Sequence, residues 1–256
     1  MSTGRGNGGV GGGTGVTEVR ARPPYPTLRV VGSVVTLLMV GGTTMGTVPS
    51  LLEQRQGQSE ELPAAMTRLV VTSSAGDVQV RELVEGARTP RVESNAHYTL
   101  SRPLLEVQEN EGTVSIEAPC SGTNLGVCSA DLTVWVPAGI DLEVDSTFGD
   151  VRLSSTGTVD ARTTTGDVRL EGEPVTATLT STLGSVDLDV REPPDEVRVR
   201  TTLGDVSLRL PGDERYAVTA GSELGDVDVQ VSRDPDSAHT VDVGTTLGSV
   251  DVRASG

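Results

Sequence analysis

Four aspartates follow glycine at a repeated turn of this chain: Asp150, Asp167, Asp205 and Asp226. Asp77 stands in a looser earlier copy, and Ser185 and Ser249 take the same place in two others. Carboxylates stacked at a strand spacing of about 4.8 Å repel one another unless solvated, bonded to backbone amides or bridged by a cation. Two chemistries are open, a calcium ladder and an Asp turn repeated for structural reasons. Serine at two positions favours the second, because calcium would lose a charged ligand there. The dense G-G-x-G-x-D run of calcium-binding rolls is also missing.

The two cysteines, Cys120 and Cys128, enclose SGTNLGV. On an exported domain, thiols at that distance most simply form a disulfide closing a small loop. A catalytic thiol would need a histidine partner, and the chain offers His97 and the distant His239. A metal site built from two cysteines and a remote histidine is the weaker alternative. No G-x-S-x-G, H-E-x-x-H, nucleotide loop or C-x-x-C occurs. Glycan-cleaving β-helices use clustered acids, but they need long loops to build a groove, and the later repeats here are tight. The sequence thus assigns no catalytic residue, no cofactor and no metal ligand.

What must position these residues is the motif T-T-x-G-[DS]-V-x-[LV]. Its glycines are Gly149, Gly166, Gly184, Gly204, Gly225 and Gly248, separated by 17, 18, 20, 21 and 23 residues, with Gly76 in the looser copy. That is the period of a coil that buries its apolar face only when a neighbour covers it. In VRVRTTLGDVSLRL, Val197 and Val199 alternate with arginines, then Val206, Leu208 and Leu210 alternate with polar residues in shifted phase. Period two marks strands, and the shift places a corner at Leu203-Gly204-Asp205. Glycine there permits positive φ or close backbone packing, and the following Asp or Ser can hold the turn. Ser or Thr pairs precede most turns and suit strands whose hydroxyls bond stacked equivalents. Phe148, Leu183, Leu203, Leu224 and Leu247 are expected to form an apolar column.

The expected fold is all-β: a single-stranded-coil β-solenoid or elongated β-roll of short repeats of 17–23 residues, preceded by one transmembrane helix. An antiparallel sandwich also fits short strands, but it gives no reason for identical turns. Residues 1–29 read as a disordered Gly-rich cytoplasmic tail and 30–52, free of charge, as a membrane-spanning signal anchor. Arg20, Arg22 and Arg29 before the span place the N-terminus in the cytoplasm and the C-terminal domain outside, or secreted if the anchor is cleaved. Residues 53–64 read as a linker and 65–256 as the β-repeat domain, with 82–110 as loop or irregular coil. Trp135, out of phase with Val134 and Val136, is expected to cap the first coil, with a place on the solvent side as the alternative. The net charge is -16, and beyond residue 30 sixteen arginines face thirty-five acids. So acidic a surface argues against nucleic acid as a partner.

The run LTVWVPAGIDLEVDSTFGDVRLSSTGTVDARTTTGDVRL, residues 132–170, resembles the bacterial adhesin-like β-strand repeat family, domain of unknown function 4097 (DUF4097). The likeness extends over about 65–256. It implies a β-repeat domain at or beyond the bacterial membrane, with no established catalytic residues to carry over. Arginine-only basic usage with abundant Gly, Thr and Val is similar to actinobacterial composition. The expected function is a non-enzymatic, membrane-anchored cell-surface binding module. It would engage an envelope protein, a glycan or the cell wall through a patch including Arg152, Arg169 and Arg209. Envelope-stress sensing of a cationic peptide is the alternative, and a glycan-cleaving β-helix enzyme the third. Gly244–Arg253 is expected to leave a free edge for self-association.

Overall fold

A computed structural model describes residues 54–83, 89–99, 103–120 and 128–255. Alternation of apolar and polar residues makes each repeat two strands, one of about eight residues and one of about five, joined at the glycine corner. The longer strands form one sheet: β2 (Arg68–Ser73), β5 (Glu106–Asn110), β6 (Thr113–Ala118), β8 (Asp141–Phe148), β10 (Thr158–Thr165), β12 (Thr176–Leu183), β14 (Glu196–Leu203), β16 (Ala217–Leu224) and β18 (Thr240–Leu247). The second strand of each coil lies in the other, short except for the nine-residue β7: β3 (Val78–Glu82), β7 (Cys128–Val136), β9 (Val151–Ser155), β11 (Val168–Gly172), β13 (Val186–Val190), β15 (Val206–Pro211), β17 (Val227–Gln230) and β19 (Val250–Ser255). That second sheet also holds β1 (Gln54–Glu61) and β4 (Arg91–Tyr98).

Successive coils pair in parallel and in register, so like side chains stack. Val168 lies between Val151 and Val186, and Ala161 between Val144 and Leu179. The inward residues are Val, Leu, Ile and Ala, almost all fully buried, and they form one continuous core between the sheets. With few aromatics available, that core depends on many aliphatic side chains, each contributing about 1.5–3 kcal/mol when fully buried.

Stack order departs from chain order at both ends. The β2–β3 coil lies between β6–β7 and β8–β9, and β18–β19 lies between β14–β15 and β16–β17. Beyond β6–β7 the sheets finish with antiparallel strands, β5 on one and β4 then β1 on the other.

Several expectations change. The stretch 82–110, read as irregular, contains β4 and β5; they pair antiparallel and so lack the repeat signature. Most of the expected linker is β1, a polar edge strand held by backbone pairing with β4 rather than by apolar burial. Trp135 points to the outer face, half-buried, with the Arg91 guanidinium 3.7 Å above its ring, so it does not cap the core. The tail 1–29 and the expected membrane span 30–52 lie outside the described residues. Among the described residues every element is a strand, and no helix is long and apolar enough to cross a membrane. Among the described residues the fold is therefore corrected to all-β, and no transmembrane helix precedes the repeats within them. The membrane partner, the signal anchor and the single-pass localisation are corrected in the same terms: no described element carries them. A charge-free run meets only one condition for a spanning helix. In sequence this one also carries Gly41, Gly42, Thr43 and Thr44, residues of low helix propensity.

Candidate functional site

The corner between the two strands of each coil carries most of the identifiable chemistry. Gly149, Gly166, Gly184, Gly204 and Gly248 have φ between +133° and +151°, a region side chains rarely enter. They also stack on one another: a Cβ at Gly166 would lie 2.1 Å from the carbonyl oxygen of Gly149, and one at Gly204 2.1 Å from that of Gly184. No side chain fits between the corners. Ala130 takes the glycine's place in the β6–β7 coil without positive φ, and the neighbour of β7 on its far side is antiparallel β4.

Two hydrogen-bond ladders run along this corner. In one, the Asp or Ser side chain accepts the backbone N–H of the same position one coil on. Asp131 Oδ1 takes the Asp77 amide at 3.0 Å, Asp77 that of Asp150 at 3.0 Å, and Asp150 that of Asp167 at 3.1 Å. Asp167 then takes the Ser185 amide at 2.8 Å, Ser185 Oγ that of Asp205 at 3.3 Å, and Asp205 that of Ser249 at 2.7 Å. In the other, the hydroxyl two residues before the corner's Leu donates to the carbonyl of the neighbouring coil's glycine, except in the β8 coil, where the Ser146 hydroxyl is buried without a partner among the described residues. Ser181 reaches Gly166, Thr201 reaches Gly184, Thr245 reaches Gly204 and Ser222 reaches Gly248, at 2.7–3.1 Å. The expectation that these hydroxyls bond their stacked equivalents is corrected: they bond glycine carbonyls of the neighbouring coil at part-buried positions.

Aspartate therefore ties one coil to the next rather than holding its own turn, and the Ser185 hydroxyl does the same. Arg152 further compensates the column, pairing with Asp77 at 3.2 Å and Asp150 at 2.7 Å. Among the described residues, no group of three or more His, Cys, Asp or Glu is placed to hold a metal ion. Cys120 and Cys128 are joined by a disulfide between β6 and β7, with Cys128 two residues before Ala130 at that coil's corner. Arg169 pairs with Asp187 at 2.7 Å and Arg209 with Asp189 at 3.7 Å, so the arginines expected to form a contact patch are each engaged across strands.

The expected apolar column exists, but it faces outward. In stack order it reads Phe148, Thr165, Leu183, Leu203, Leu247 and Leu224, with Leu183 paired to both Thr165 and Leu203. Its five large side chains are 56, 44, 42, 40 and 66% exposed for Phe148, Leu183, Leu203, Leu247 and Leu224. Eight large hydrophobic residues are exposed among the described residues, and these five form one line beside the Asp ladder. The sequence placed them in register but not on the outside, because the corner turns the strand's alternation outward just before glycine.

A two-sheet parallel solenoid with a stacked Gly-Asp corner defines the class of protein. The chain belongs to the Toastrack DUF4097 family, whose pattern matches residues 61–253. No curated protein matches it. Among solved structures it is similar to a candidate cell adhesion protein from Clostridium sporogenes, at 13% identity and a TM-score of 0.46, over 79% of this chain and 100% of that one. A candidate adhesin from Bacteroides fragilis is similar at 11% identity and a TM-score of 0.33, over 78% and 97% of the two chains.

Proposed function

We propose that this protein is a non-enzymatic, adhesin-like binding module that meets its ligand along the outward ridge from Phe148 to Leu224. The observation that carries the reading is the alignment of those exposed side chains. Scattered surface leucines are ordinary, but a contiguous apolar line rimmed by polar residues marks an interaction surface. The flanking carboxylates from Asp131 to Asp205 accept amides of the next coil, and Arg152 pairs with two of them, which leaves the ridge as the chemically distinctive surface. Apolar contact supplies affinity here, and the rigid coil spacing supplies the geometry.

Thr165 already occupies one rung, so threonine is compatible with the corner. The triple variant Leu183→Thr, Leu203→Thr, Leu247→Thr is expected to keep its melting temperature and lose retention on intact bacterial cells and on isolated cell wall. Equal retention of the variant and the unaltered full-length chain would sink the ridge as the contact surface.

A further inference from the structure

The two ends of the stack are built differently, and the β16–β17 end is uncovered among the described residues. At the corresponding inward position Val78, Val151, Val168, Val186, Val206 and Val250 are at most 1% exposed, whereas Val227 is 43% exposed. Val218, Ala220 and Val229 are likewise only partly buried where their counterparts in the inner coils are sealed. With Thr219, Val227 and Arg233 they line a groove of about 350 Å³ that opens from the core. At the opposite end Val114, Ile116, Leu132 and Val134 are sealed beneath β5, β4 and β1. The strands there carry Arg55, Glu60, Glu61, Glu106 and Glu109 on the outside, charges that discourage edge pairing.

The geometry points to a second copy of this chain as the occupant of the open end, docked tail to tail about a two-fold axis. A single strand or helix would cover one sheet edge and leave the other bare. The occupant must offer two edges, spaced like packed sheets at about 10 Å, with apolar side chains between them. A second β16–β17 end has that form, and an isologous contact needs one self-complementary patch. Charge points the same way. The outermost coil carries three acids, Glu223, Asp226 and Asp228, and the groove itself is lined by Arg233 and otherwise uncharged side chains, so the contact face holds little of the chain's net charge of -16. A register centred on Ala220 sets β16 antiparallel to its copy and keeps Val218, Ala220 and Ser222 facing inward in both. The free edge expected at Gly244–Arg253 is corrected by this topology, because β18–β19 lies inside the stack and β16–β17 ends it.

Sedimentation equilibrium of the full-length chain, with its native disulfide intact, tests the proposal. The unaltered chain is expected to reach the mass of two chains as concentration rises, and Val227→Asp to stay at one. Ala220→Cys, beside the axis, is expected to give a disulfide-linked dimer under mild oxidation, which keeps the test open if Val227→Asp fails to fold. The unaltered chain remaining single at every concentration would overturn the proposal. A dimer that survives Val227→Asp and crosslinks through Gln108→Cys on β5 would also overturn it. So would a single chain whose Ala220→Cys thiol resists alkylation, since the chain's own remaining residues would then cover the end.

Discussion

The coils from β8–β9 to β14–β15 and the last two coils share one motif but assemble differently. The first group stacks in the order of the chain. In the second, β18–β19 slips between β14–β15 and β16–β17, so Thr245 donates to Gly204 and Ser222 to Gly248. The difference teaches that the motif makes a coil stackable without choosing its neighbour. The connections make that choice. After β15 the chain rises past one coil height, and Tyr216 secures the step: its hydroxyl donates to the Pro211 carbonyl at 3.0 Å inside a fully buried site. Its backbone bonds Ser232 and Asp234 of the next connection. The gap left behind is then filled by β18, which bonds the β14 coil from Thr240 to Asp195.

The sharpest way to break the comparison is to place one methyl group in each region. Gly204→Ala would push a Cβ to 2.1 Å from the Gly184 carbonyl, at φ +149°, with coils packed on both sides. A cost of about 4 kcal/mol or more is expected, in the range of severe backbone strain and overpacking. Gly225→Ala meets the Gly248 carbonyl at 1.9 Å, yet nothing among the described residues lies beyond its coil. In the single chain, at concentrations too low for two copies to dock, that coil can move outward, so a cost of about 1–2 kcal/mol is expected. Urea titration of both variants, with hydrogen exchange on β16 and β17, checks the contrast; equal costs would mean that the end coil is as confined as the middle.

Much of the middle region was legible because its information is local. Gly-Asp at the corner, the shifted alternation around Gly204 and the near-constant spacing each reflect one coil's own geometry. The exchange of the last two coils was not legible, since Gly225-Asp226 and Gly248-Ser249 follow the same rule whichever lies outermost. Asp131 escaped notice for a related reason: Ala130 replaces the glycine, so the ladder continues into β6–β7 without its signature. At the site, sequence brought the leucines into one column. Only the corner's geometry shows that Leu203 faces water while Thr201, two residues earlier, is buried.

A smaller effect should expose what holds the exchanged order. Tyr216→Phe leaves the Pro211 carbonyl buried without its donor, at a cost of about 1–3 kcal/mol. Hydrogen exchange is expected to rise at residues 212–216 and 231–239 and to stay unchanged in β10–β13. Burial, reinforced by nearby Glu214 and Asp213, pushes the Tyr216 phenol from 10.0 up to about 12. Below pH 10 the phenol is protonated in folded and unfolded chains alike, so its contribution is fully present. Above pH 10 the unfolded chain ionises first, and stability falls until the folded phenol also titrates near pH 12. Melting temperature measured across that window should decline less in Tyr216→Phe than in the unaltered chain. Parallel declines would place the alkaline sensitivity elsewhere.

The smallest expected effect separates a structural ladder from a charged one. Asp167 stands in the middle region, where its Oδ1 accepts the Ser185 amide at 2.8 Å. Asp167→Asn keeps an oxygen acceptor and removes a negative charge from a column containing Asp150 and Asp205. Stability should therefore change by less than about 0.5 kcal/mol, because the hydrogen bond survives and neighbouring carboxylates repel one another less. Asp167→Ala removes the acceptor and should cost about 1 kcal/mol, the ordinary net value of such a bond at a partly exposed site. Adding calcium should raise the melting temperature of neither variant nor the unaltered chain. If calcium stabilised the unaltered chain, and Asp167→Asn abolished that gain, the column would be a cation ladder and its serines interruptions. Without such a gain, Ser185 and Ser249 are equivalent rungs, and the Asp-to-Ser alternation shows that the corner selects for an oxygen acceptor at that position rather than for charge.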